Sequence, residues 1–193
     1  MKIILAKSAG FCFGVRRAVE LTEQTAAKVA ESGGAAKVFT FGELIHNRDV
    51  VNRLRDAGIV PIESLDEAQR GDYVIIRSHG VPKKIYEELE TRGINFIDAT
   101  CPFVSNIHRI VSAAYERGEQ VFIVGNPEHP ETIGINGHCG NSAIFIRGEE
   151  ELRKLEGRSG CLVVQTTFDS ETFAAMQRVI EREYSRIRVF NSI

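Results

Sequence analysis

Short β-branched runs alternating with amphipathic stretches predict an α/β protein built on parallel sheets, and a loose internal repeat predicts two small domains in tandem. Three observations carry this. The strand-like runs are almost continuously apolar, as parallel strands covered on both faces are. The stretches between them space their apolar positions at the helical period. Loops with chemistry-bearing residues recur in the same order in each half. With 193 residues, 43% apolar and 26% charged, there is ample chain for a real core.

In order, KIILA (2–6) reads as an opening strand, followed by a helix over 14–31 and the strand KVFTF. A helix over 48–57, the strand YVIIRS, a helix over 83–92 and the strand INFIDA complete a first domain over 1–98. The second, 99–193, starts with a helix over 104–117 and the strands QVFIVG and AIFIRG. An amphipathic stretch over 148–155, the strand CLVVQTT, a helix over 170–185 and the strand IRVFN follow. Asp169 or Ser170 ahead of Glu171 supplies the start signal of that last helix.

The repeat is anchored by cysteines. Cys12 (GFCFGV) and Cys101 (ATCPFV) each open a helix, 89 residues apart. A strand and a histidine loop come next: FTFGELIHN places His46 34 residues after Cys12, and FIVGNPEHPE places His129 28 residues after Cys101. A later strand ends in VIIRSHG with His79 or in LVVQTTF with Thr166, 67 and 65 residues after the respective cysteine. Open α/β sheets bind ligands at the carboxyl ends of their strands, which is where these loops fall.

A net charge of -2 from 24 basic and 26 acidic residues gives no nucleic-acid footprint. No apolar run approaches the roughly 20 residues of a membrane helix. The opening MKIILAKSAG is interrupted too soon for a signal peptide, so the expected compartment is the cytoplasm. Without an export signal, four cysteines point to metal, redox or burial rather than a disulfide scaffold.

A single cysteine is most often a small buried hydrophobe. Two in the same context, each at a helix N-terminus that favours the metal-ligating thiolate, look like ligands of one centre. No CxxC pair is present, which excludes a zinc ribbon or a bacterial ferredoxin-type run. Cys161 opens a strand and reads as core; Cys139, in GHCG, reads as a structural loop residue. Any one histidine could be a satisfied loop residue, but His46, His79 and His129 at related positions suggest an anionic ligand, since imidazoles and backbone donors suit phosphate oxygens. His108, within a helical pattern, reads as structural; His138 is left open. Glu131, two residues after His129, has a carboxylate near that anion, and proton delivery is the usual reason for one there. Thr166 offers a hydroxyl to order substrate or relay a proton.

GFCFGVRRAV, GELIHN, SHGVP, DATCPFV, HPETIG and QTTF, in this order and across the whole chain, closely resemble the 4-hydroxy-3-methylbut-2-enyl diphosphate reductase family. These are the terminal reductases of the methylerythritol phosphate route to isoprenoids. The resemblance implies three similar α/β domains around a [4Fe–4S] cluster held by three cysteines, two of them matching Cys12 and Cys101. It implies that His46, His79 and His129 bind the diphosphate of a small allylic substrate, and that Glu131 delivers protons with help from Thr166. Electrons from a donor such as ferredoxin or flavodoxin would remove the substrate hydroxyl as water, giving isopentenyl and dimethylallyl diphosphate. Three thiolates on a four-iron cube leave one iron open, as a catalytic metal site requires.

The departure lies at VFNSI. Family members carry a third domain with the third cysteine, and one further period of the repeat from Cys101 finds no cysteine. The expectation is a fragment lacking that domain, inactive and without a stable cluster by itself. The rival reading is a two-domain module that binds diphosphates without redox chemistry.

Overall fold

The computed structural model describes residues 3, 4, 9–33 and 35–193. Of the strand expected at KIILA, Lys2, Leu5 and Ala6 lie outside the described residues, while Ile3 and Ile4 are in no strand. The chain divides into two compact units, Met1–Ser78 with Gly93–Cys101, and His79–Arg92 with Pro102–Ile193.

The first unit holds α1 (Phe13–Glu31), β1 (Val38–Phe41), α2 (Arg48–Asp56), β2 (Val60–Ile62), β3 (Tyr73–Ile76) and β4 (Asn95–Asp98). Its sheet has the order β2-β1-β3-β4, every pairing parallel. Ala18, Thr22, Thr25 and Val29, three and four residues apart, give α1 one buried face. The two threonine hydroxyls on it donate back to Ala18 O and Leu21 O, so neither is buried without a partner. Ala18, Val19 and Val29 join Leu44, Val50, Leu54 and Ile75 in one core. Asn47 caps α2 by accepting from the Val50 N–H at 3.1 Å. The sequence did not mark β2. It is three residues long and contains Pro61, which removes a ladder donor and is tolerated here because β2 is an edge strand.

The second unit holds α3 (Lys83–Arg92), α4 (Pro102–Glu116), β5 (Gln120–Val124), α5 (Pro130–Gly137), β6 (Ile144–Ile146), β7 (Gly160–Val164), α6 (Ser170–Glu183) and β8 (Ile187–Phe190). Its parallel sheet has the order β6-β5-β7-β8. Both faces are covered, which is why these strands are apolar without alternation. Phe122, Val124, Leu162 and Val164 meet Phe173, Met176 and Ile180 of α6 on one side. Val121, Ile123, Cys161 and Val163 meet Ile107, Val111 and Ala114 of α4, with Ile135 and Cys139, on the other. Cys139 and Cys161 are fully buried, as their context predicted. Asp169 is the cap of α6, accepting from the Thr172 N–H at 2.8 Å.

Two expectations need correction. The stretch over 148–155 forms a 3-10 helix, Glu149–Leu155, rather than an α-helix. The helix of this part of the second unit is α5, which begins at Pro130 in the loop read as HPETIG.

α4 to β8 repeat the element order of α1 to β4, and the two sheets share one strand order. In each sheet the connections leave the two central strands in opposite directions, β1 and β3 in the first, β5 and β7 in the second. That reversal is the topological switch point at which open α/β sheets form their crevices.

Candidate active site

The first unit places Cys12 as the exposed N-cap residue of α1 and Cys101 as its last, half-buried residue. The Cys12 side chain makes no cap hydrogen bond. Gly14 measures the separation of the two regions: a Cβ built on it would stand 2.6 Å from Cys101 Sγ and 3.1 Å from Cys101 Cβ. Cys101 therefore lies against the first turn of the helix that Cys12 begins. Its own backbone is anchored, because the Cys101 N–H donates to Ser78 O at 2.9 Å. His46 is exposed in the loop between β1 and α2, one residue before the Asn47 cap.

In the second unit the switch-point loops follow β5 and β7. His129 is the N-cap of α5, and its Nδ1 accepts from the Glu131 N–H at 3.1 Å. An accepting Nδ1 carries no proton, so Nε2 is the donor this ring offers to a ligand. The half-buried His79 ring meets His129 edge-on, 5.4 Å between centroids.

Glu131 is 1% exposed. Thr166 serves both of its oxygens: the N–H donates to Oε1 at 2.6 Å and the hydroxyl to Oε2 at 2.7 Å. Burial pushes the carboxyl above the ordinary glutamate range, against the opposing pull of the two Thr166 bonds. Favouring the neutral form in this way suits the carboxyl to deliver a proton.

Sequence reasoning missed Gln165, which is buried at the end of β7. Its Oε1 accepts from the Asn126 N–H at 3.1 Å, and its Nε2 donates to Thr167 Oγ1 at 2.8 Å. Gln165 thus ties the loop after β5 to the loop after β7. Thr132 Oγ1 tightens the same turn by donating to Asn126 O and to His129 O. No pattern in QTTF separates Gln165 from an ordinary strand end. A cleft of about 410 Å³ opens beside this clamp, lined by Asn126, Glu128, Arg147, Gln165, Thr167 and Asp169 among others.

His108 and His138 lie apart from these loops in sequence and stack at 4.0 Å. His108 Nε2 is buried with no hydrogen-bond partner, and burial, reinforced by the charge of His138, pushes its pKa down to about 3. His108 is the structural residue it was read to be.

Residues 3–193 match the family model described as LytB protein. The chain is 45% identical over 193 residues to the 4-hydroxy-3-methylbut-2-enyl diphosphate reductase of Clostridium perfringens (strain 13 / Type A), covering 99% of this chain and 66% of the relative. The reductase of Alkaliphilus oremlandii (strain OhILAs) is 38% identical over 194 residues, covering 100% of this chain and 68% of the relative. A solved structure of (E)-4-hydroxy-3-methyl-but-2-enyl diphosphate reductase, described as the terminal enzyme of the non-mevalonate pathway, superposes with a TM-score of 0.82 at 38% identity. It is matched over 99% of this chain and 67% of its own length. A Plasmodium falciparum reductase structure, at 24% identity and a TM-score of 0.85, supports the fold alone. The chain spans about two thirds of the length of these curated relatives. With the family model matched across both sheets and all of these loops, the chain belongs to the LytB protein family.

Proposed function

We propose that this protein is the part of a reductase that grips and protonates an allylic diphosphate, converting 4-hydroxy-3-methylbut-2-enyl diphosphate to isopentenyl and dimethylallyl diphosphate. The names of the relatives support the reaction class. The observation that carries the residue assignment is Glu131, buried at a switch point with both carboxylate oxygens served by Thr166.

The net change is the loss of a hydroxyl as water with uptake of two electrons and two protons. Cys12 and Cys101 fit a [4Fe–4S] cluster as two of its thiolate ligands, because Cys101 is seated on the helix turn that Cys12 opens. When bound, such a cluster supplies the electrons one at a time, drawn from ferredoxin or flavodoxin, and Lewis acidity toward the substrate hydroxyl. The remaining work falls to side chains. His129, through Nε2–H, and His79 and His46 bind the diphosphate, so that binding energy far from the breaking bond orients the reacting end. Glu131 holds the proton that leaves with the hydroxyl oxygen as water. Thr166 fixes the direction in which the carboxyl points.

The test is Glu131→Gln in an intact, iron-loaded form of the protein that carries all three cysteine ligands, where the substitution keeps the shape and removes the acid. Turnover with a chemical reductant should fall by about 10²- to 10⁴-fold, the range typical of general acid–base catalysis. Iron content and diphosphate binding should stay near wild type. Ordinary turnover in that variant would refute the assignment.

A further inference from the structure

We propose that Gly14 is a positioning residue: the space left by its missing side chain is the seat that holds the Cys101 thiol against the first turn of α1. The proposal rests on the iron–sulfur reading above for its purpose, and on packing alone for its geometry.

Gly14 is a costly choice for its place. It lies two residues after the N-cap of a 19-residue helix, where alanine is the better helix former. Its backbone φ lies outside the left-handed region, so conformation does not call for glycine. What calls for it is room. A methyl group there would stand 2.6 Å from Cys101 Sγ, far inside van der Waals contact.

Neither side can readily give way. The segment bearing Cys101 is pinned by Cys101 N–H to Ser78 O at 2.9 Å, Ala99 N–H to Ile76 O at 3.1 Å and Thr100 N–H to Asp98 Oδ1 at 2.9 Å. The helix is pinned to the same segment one turn further on, where Arg17 donates to Thr100 O at 3.2 Å and to Asp98 O at 3.3 Å. An added methyl must therefore turn the thiol out of its seat or lift the start of α1. Either change separates Cys101 from Cys12 as joint ligands. The first N–H groups of a helix have no intrahelical partners, and the Cys12 side chain does not cap them.

Gly14→Ala is the decisive variant, with Glu20→Ala on the exposed face of α1 as control. After anaerobic reconstitution of an intact form that carries all three cysteine ligands, iron and sulfide per chain should fall about ten-fold in Gly14→Ala, as when a supporting group of a metal site is lost, and remain unchanged in the control. Thermal unfolding of the metal-free protein supplies a second readout. Gly14→Ala should lower the melting temperature in the wild-type background and be neutral or stabilising in a Cys101→Ala background, where the obstructing sulfur is gone. Wild-type iron content together with an unchanged melting temperature would overturn the proposal. So would an equal loss of stability in both backgrounds. An intact wild-type form that takes up no iron would sink the iron–sulfur reading instead, and the stability cycle would still decide the seat.

Discussion

Thr166 acts on Glu131 through two donors that a substitution can separate. Its N–H belongs to the backbone and survives any side-chain change; its hydroxyl does not. Both bonds favour the charged carboxylate, while burial favours the neutral acid and prevails. Removing the hydroxyl with Thr166→Val therefore raises the Glu131 pKa further and frees one oxygen to reorient. The alkaline limb of the pH–rate profile should move to higher pH, and kcat should drop by about 10²-fold if orientation is what Thr166 supplies. Thr166→Ser should restore both. A profile that stays in place in the valine variant would show that the hydroxyl does not couple to the acid. Glu131 and Thr166 could be singled out in the sequence because they sit in repeated strand-end loops. Gln165 could not, since its role rests on Asn126, 39 residues away, and no local pattern encodes that pairing.

At the scale of elements, the second sheet depends on a close approach between its two central strands. Gly160 pairs with Gln120, and a Cβ on Gly160 would come within 2.1 Å of the Gln120 carbonyl oxygen. Gly160→Val should wedge β5 from β7 and cost about 1–3 kcal/mol, the usual penalty for overpacking, read as a lower urea midpoint. An unchanged midpoint would mean that the strands can slide apart without cost. Helix starts have a separate test in Asp169→Ala, which leaves the Thr172 N–H without its cap and should cost about 1 kcal/mol in the same measurement. Strands with apolar runs were readable because covering both faces imposes that pattern. β2 and α5 were not. β2 is three residues around a proline, and α5 is eight residues whose start is marked by a histidine cap rather than Ser, Thr, Asp or Asn.

For the molecule as a whole, sequence periodicity and compactness draw different lines. The repeated element order supports the division we propose between 98 and 99. Packing assigns residues 79–92 to the second unit, where Gly134 of α5 lies 3.4 Å, measured from a built Cβ, from the backbone of Gly80 and Val81. His138 joins the same contact, its Nε2 3.2 Å from Val81 O. No repeat could reveal this, because a repeat encodes which elements form and not which unit a connecting helix packs on. The stacked histidines of this unit also govern its acid stability. His108 titrates near its ordinary 6.5 when unfolded and at about 3 when folded. Between those values the unfolded chain binds a proton that the folded one does not, so stability is full above about pH 6.5 and declines as pH falls, by up to about 1.4 kcal/mol per pH unit. His108→Phe should flatten that decline in urea unfolding between pH 7 and pH 4. Equal slopes in wild type and variant would show that other groups set the acid limit. Among the described residues no helix is long and apolar enough to cross a membrane.

Two copies of a sheet written into one polypeptide can drift apart in a way that two identical subunits cannot, since any substitution in a subunit gene appears in both partners at once. The position two residues beyond the loop histidine is Arg48 in the first copy and Glu131 in the second. A symmetric pair of identical chains could not hold opposite charges at matching places. Fusion of the copies is what lets the histidine be kept twice while the acid is carried only once.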